Sequence, residues 1–253
     1  MNNLFVVVCK YFDSLPFIFN CVESIRKHHK DDILVIDSNS NDKQYLQVIK
    51  KAYTNIETLN AKNVNYVTGA VWATFANFNY ENYYFLHDSI KCLGSLRGFD
   101  KYDATAVLTK RISEVPLCWH WAPVGGIRSP YWAIQKLKGT GVKFRDNDFN
   151  VIIGPMFGVK RRVLEHLKYL NFDKILPSCK VEMEMMERVW GMAFRDLDIQ
   201  FENNVILRGR SGAEKPISLP LKNLKNQTIV NVDTRVASKR PDDKIQKYWI
   251  LRK

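Results

Sequence analysis

Tyr83-Tyr84-Phe85-Leu86-His87-Asp88-Ser89 is an apolar run that stops abruptly at a histidine and a carboxylate. Its length and aromatic content describe a buried strand that delivers a polar group to the rim of a sheet. An earlier run, Ile33-Leu34-Val35-Ile36-Asp37-Ser38-Asn39-Ser40, has the same form, a hydrophobic strand ending at an aspartate followed by small polar residues. Two such strands in one α/β pattern mark a nucleotide-binding face, because open parallel sheets take ligands beyond the carboxyl ends of their strands.

Working outward, Leu4 to Cys9 reads as another buried strand, and Asp13-Ser14-Leu15-Pro16 supplies a cap and an early proline for a helix to about His29. Phe17, Cys21 and Ile25 carry its apolar face. Asn41-Asp42 opens a second helix through Leu46, Ile49 and Tyr53. This βαβα order predicts a parallel sheet with helices on its faces. After an Asn-rich connection, Asn65 to Gly69 reads as a short strand and turn, and Ala70 to Phe78 as a helix packed by Val71, Phe75 and Phe78. Ala104 to Leu108 is a further strand candidate. Ser113 to Asp148 is rich in aromatics, proline and glycine without periodicity, the composition of a binding loop. Val151 to Val159 is strand-like but broken at Gly154 and Pro155; helices follow over Lys160 to Leu170 and about Val181 to Phe194, then an edge-like strand at Ile199 to Phe201.

The chain has 253 residues, enough for a substantial core, and its five cysteines form no CxxC pair. They read as buried apolar residues of a reducing compartment rather than as a disulfide scaffold or structural zinc site. The amino-terminal apolar run is too short for a signal sequence, and no uncharged stretch is long enough to cross a bilayer. The expectation is a soluble, cytoplasmic protein. Its formal charge of +12 is uneven: residues 205–253 hold twelve Lys/Arg against four Asp/Glu. Such a segment attracts phosphates on nucleic acid, lipid head groups or a nucleotide diphosphate, and equally makes a solvated surface.

Taken in order, these features resemble the GT-A fold of nucleotide-sugar glycosyltransferases, in the style of the family 2 type and of small transferases of large DNA viruses. The resemblance covers roughly Leu4 to Phe201. It implies a Rossmann-like α/β domain over residues 1–204, with a mixed, mostly parallel sheet and helices on both faces. Its donor half is about 1–110, its acceptor half about 111–204, and the basic segment 205–253 packs on it or trails from it. It also implies a hexosyl- or deoxyhexosyltransferase that uses Mn²⁺ or Mg²⁺, takes a UDP- or GDP-sugar and inverts configuration. The acceptor would be a glycan or glycoprotein, with no nucleic-acid partner and peripheral membrane contact open to the basic segment.

By that resemblance Asp37, with Ser38, contacts the base or ribose, and Gly69 to Asn77, including Trp72, is the glycine-led helix beneath the diphosphate. The family's Asp-x-Asp metal motif is replaced by His87-Asp88-Ser89, leaving Asp88 and His87 as metal ligands together with donor phosphates. A capping role is the structural alternative for Asp88. The family's base lies near the start of a late helix, here Glu182 to Gly191, which lacks the usual Glu-Asp pair. Glu182 and Glu184 point about 200° apart on a helix, so one at most faces the site. Glu182 is preferred, against a plain helix-end role; Glu184 with Arg188 has the spacing of a surface ion pair.

Trp119 and His120, with Trp121, suit either a sugar platform or core beneath a loop. Arg208 and Arg210 are candidate diphosphate partners. Two rivals stand beside the transferase. A nucleotidyltransferase wants a glycine-rich phosphate loop after its first strand, which Cys9-Lys10-Tyr11-Phe12-Asp13 does not supply. A non-catalytic binder of nucleic acid or acidic surfaces explains the charge but not two strands that end in aspartate.

Overall fold

β1 (Asn3–Cys9) is buried from Leu4 to Cys9. Its side chains alternate: Leu4, Val6 and Val8 enter one apolar cluster, Phe5, Val7 and Cys9 another. With water excluded from both faces, its backbone groups need protein partners along both edges. They find them in two parallel neighbours, β2 (Asp32–Asp37) and β4 (Asn82–His87). The computed structural model describes residues 2–9, 15–38, 40–62, 65–96, 102–106, 109–111, 135–143, 149–195, 197, 199–201, 205–208, 214–215, 217–218 and 231–232.

The sheet grows outward from this trio. β3 (Ile56–Asn60) pairs in parallel with β2. Beyond β4 come β9 (Phe157–Lys160), β6 (Ala104–Ala106) and β10 (Ile199–Phe201), for a spatial order of β3-β2-β1-β4-β9-β6-β10. Of these seven strands β9 alone runs antiparallel to the others. Helices α1 (Leu15–His28) and α2 (Gln44–Ala52) cover one face through Ile18, Val22, Ile25, Leu46 and Ile49. Helices α3 (Tyr66–Asn77), α4 (Arg161–Tyr169) and α5 (Lys180–Ala193) cover the other. The mixed, mostly parallel sheet with helices on both faces is therefore the fold that the strand and helix pattern predicts.

Three local readings change. The Asn-rich connection contains β3, whose burial is confined to Ile56, because an edge strand can form with little apolar content. Residues 65–69 open α3 rather than forming a strand: the Gly69 N–H donates to the Asn65 carbonyl at 2.9 Å. Here burial of Val67, Ala70 and Val71 overrides β-branched propensity. The broken run at 151–159 is two strands in two sheets. β8 (Asn150–Ile152) pairs with β7 (Thr109–Arg111), and the chain then turns at Gly154, φ 67°, into β9. A φ of that sign suits glycine.

Below the sheet Trp190 of α5 is fully buried, with Phe157 and Phe172 each 4.8 Å away and Phe194 at 5.5 Å between ring centroids. Its indole N–H donates to Thr68 Oγ1 of α3 at 3.1 Å, so the one polar atom of this apolar cluster is satisfied. The next residue, Gly191, lets the helix meet β8 directly: a Cβ there would sit 2.0 Å from the Asn150 carbonyl oxygen. Neither backbone can yield cheaply. Gly191→Ala should destabilise the protein by about 1–3 kcal/mol or more, read as a lower denaturant midpoint. An unchanged midpoint would show that α5 does not press on β8 as described.

Candidate functional site

β2, β1 and β4 end on one edge. The registers pair Cys9 with Asp37 and Val8 with His87, which brings Asp88 level with Cys9. Asp37, Cys9 and Asp88 thus form a row across the ends of three adjacent strands, and at about 4.8 Å per strand the backbones of the two aspartates lie about 10 Å apart across the sheet. The strand order also reverses here. From β1 the chain builds toward β3 on one side, then returns through α3 to lay β4 on the other side of β1. Such a switch point, beyond the carboxyl ends of the strands, is the position at which open α/β sheets bind ligands.

Asp37 is wholly buried. Its Oδ2 accepts the Ser40 N–H at 2.9 Å and its Oδ1 the Tyr45 hydroxyl at 2.6 Å, while its carbonyl accepts the Ala61 N–H. The carboxylate therefore shapes the turn after β2 and ties it to α2. Burial, with Cys9 and then the Asp37 hydrogen bond and charge, pushes the Tyr45 phenol far above its ordinary range, so it stays a donor. Beside it the Ser38 hydroxyl is buried with no partner among the described residues. Sequence reasoning singled out Asp37 and Ser38 and passed over Tyr45. Its signal was a lone hydroxyl on the buried stripe Tyr45, Leu46, Ile49.

His87, Asp88 and Ser89 are half-buried at the end of β4. Strand alternation sets His87 on the face of Tyr83 and Phe85, toward α3 and α5. The Asp88 carboxylate acts on the opposite face. Burial first, then Asp88, Cys21 and Asp37, push the Cys9 thiol well up, and burial, Cys92 and Asp88 do the same to Cys21. These cysteines are protonated core residues, as their scatter in the sequence suggests. The Ser89 hydroxyl is buried without a partner among the described residues.

Two further elements reach this edge. β11 (Val205–Arg208) pairs antiparallel with β5 (Ile90–Cys92), and the Leu207–Ile90 pair brings the Arg208 backbone level with Ser89. Gly154 lies three residues before Phe157, the register partner of Phe85, and Asp88 lies three beyond Phe85. The β8–β9 turn therefore comes up on the other flank of β4. The Gly154 N–H donates to Glu187 Oε1 at 2.9 Å, a carboxylate that sequence reading left without a role. Its position, four residues after Met183 and three before Trp190, was the signal of a buried acid on an apolar stripe.

The two proposed bases occupy different surroundings. Glu182 Oε2 accepts the Ser178 N–H at 2.7 Å and hydroxyl at 2.6 Å, the reach-back of a helix cap. Glu184 and Arg188 are both buried, so the pair that their spacing suggests does not lie at the surface, and Arg188 donates to the Glu184 carbonyl at 3.0 Å. Gly69 is buried within α3 and Trp72 packs beside Trp190 and Phe75, so both sit in the helix layer rather than at the strand ends. Trp119, His120 and Arg210 lie outside the described residues, as do the side chain of Arg208 and most of the aromatic loop.

No protein-family profile matches the chain, and no curated protein does. Two solved structures of TarS from S. aureus are similar, each at 12% identity with a TM-score of 0.47 over 92% of this chain. The alignment spans 61% of one, a fragment titled 1-349, and 36% of the other. Such a likeness carries nothing about chemistry.

The Tyr45–Asp37 bond has a measurable consequence. A phenol whose folded pKa is raised stabilises the fold fully below the unfolded value near 10, and that contribution disappears as pH rises above it. Tyr45→Phe should cost about 1.5–3 kcal/mol at neutral pH by removing a hydrogen bond to a charged group. It should also flatten the loss of stability above about pH 10. Chemical denaturation across pH checks both; parallel wild-type and mutant curves would contradict the assignment.

Proposed function

We propose that this chain is a nucleotide-sugar glycosyltransferase, moving a sugar from a UDP- or GDP-sugar to a hydroxyl of a glycan or glycoprotein with inversion. The observation that carries the reading is the row Asp37, Cys9, Asp88 at the switch point, with Arg208 brought level with Ser89 beside it. Asp37 holds the turn over which the nucleoside lies, and Ser38 offers it a hydroxyl. Arg208 and Arg210 would take diphosphate oxygens through charged, forked donors.

A divalent cation at this edge would draw on few protein donors and would depend on the donor's own phosphates. Among the described residues no three His, Cys, Asp or Glu side chains form a cage, so Asp88 would share the ion with donor phosphates and water, while His87, set on the other face of the strand, is not placed to join it as second ligand. Mn²⁺ or Mg²⁺ bound there would offset the negative charge that grows on the departing diphosphate.

The remaining chemistry falls to the chain. The acceptor oxygen forms a bond to the anomeric carbon as the bond to diphosphate breaks, through an oxocarbenium-like transition state. Its proton passes to a carboxylate of α5, for which Glu182 is the choice. Glu182 is held in one orientation by Ser178 at the amino end of the helix, whereas Glu184 is buried.

The test is incubation with UDP-, GDP- and TDP-sugars, with and without Mn²⁺, following nucleoside diphosphate release and thermal stabilisation. Asp88→Ala should abolish cation-dependent donor binding; unchanged binding removes Asp88 from the site. Glu182→Gln should leave donor binding intact and reduce transfer by about 10²–10⁴-fold, the range of general base catalysis. Full transfer in that variant would dispose of Glu182 as base. No donor binding at all, together with oligonucleotide binding that falls steeply with salt, would replace the transferase by a nucleic-acid binder.

A further inference from the structure

Three charged side chains of α5, Glu184, Glu187 and Arg188, are buried, at 9%, 5% and 5% exposure. Burying charge is expensive unless each group is engaged, and such groups persist in a core chiefly where they specify one arrangement. Glu187 Oε1 accepts the Gly154 N–H, and its Oε2 lies 3.9 Å from Arg188 Nη1, which donates to the Glu184 carbonyl one turn back.

What this ties together is specific. Gly154, with its left-handed φ, is the pivot at which the chain leaves β8 and enters the central sheet as β9. β9 is the neighbour of β4, and the turn that precedes it ends on the Asp88 edge. α5 carries both candidate bases at its amino end. The helix that carries the candidate bases and the turn into β9, the neighbour of β4, are thus joined by a hydrogen bond that a single amide donates to a buried carboxylate.

We propose that Glu187 is a positioning residue, whose clamp on the Gly154 amide sets the distance between α5 and the Asp88 edge and so aligns acceptor with donor. This rests on the transferase reading above. Glu187 itself touches neither substrate. A misplacement of about 1 Å between reacting groups can cost about a hundredfold in rate, so a residue remote from the chemistry can govern turnover.

The experiment uses the full chain with Glu187→Ala and Glu187→Gln. The amide of Gln retains an oxygen that accepts from Gly154; Ala does not. Glu187→Ala should lower kcat by about ten- to a hundredfold with donor KM and nucleoside diphosphate affinity unchanged, and Glu187→Gln should restore most of it. Exchange of the Gly154 amide should be fast in the Ala variant and slow in the other two. A kcat in Glu187→Gln as low as in Glu187→Ala, a donor KM that rises in step, or slow exchange in Glu187→Ala overturns the proposal. If Glu187→Ala fails to fold, the Gln variant decides, since the clamp predicts near-normal kcat and slow exchange in it. If the wild-type chain turns over no nucleotide sugar, the transferase reading falls and takes the alignment role with it, while the exchange data still report whether the clamp exists.

Discussion

The parallel pairing of β1 with both β2 and β4 is the constraint on which the rest of the molecule depends. A strand buried on both faces has no water for its amides, so its two edges must be paired along their length. Parallel partners on both sides force the connecting helices to cross back over the sheet, and a chain that builds first to one side and then to the other leaves helices on both faces. The switch point beyond the strand ends follows from that topology. Asp37, Cys9 and Asp88 come into line there because the registers of two strand pairs place them at one level.

The second half of the domain is anchored differently. Where β1 is held by strand pairing, α5 is held by packing and a buried hydrogen bond: Trp190 among Phe157, Phe172 and Phe194, the Gly191 backbone against Asn150, and Glu187 on Gly154. β9 belongs to both systems, since it pairs with β4 and supplies Phe157 to the aromatic cluster. It is through this antiparallel strand that the packing of α5 bears on the strand carrying Asp88.

Much of this was legible in the sequence where one force dominates. Runs such as Leu4 to Cys9 and Tyr83 to Leu86 are apolar at every position because both faces are covered, and their abrupt polar ends mark the sheet edge. Legibility failed where tertiary context decides. Ile56 to Asn60 is a strand because β2 offers it an edge, and Tyr66 to Gly69 is helical because its small and branched residues fill the space under the sheet. At the site the sequence located the carboxylates but not their engagements. Spacing alone reads Glu184 and Arg188 as an exposed pair, whereas both are buried and Arg188 donates to a backbone carbonyl, and Glu187 emerges only when the β8–β9 turn brings Gly154 against α5.

The central claim, that ligand binds at the switch point beyond β2, β1 and β4, is tested most directly by backbone amide exchange with and without a nucleoside diphosphate and Mn²⁺. The account predicts new protection confined to Asp37 to Ser40 and His87 to Ser89. Protection instead at the opposite edge, around Asn2, Glu81 and Lys160 to Arg162, would contradict it.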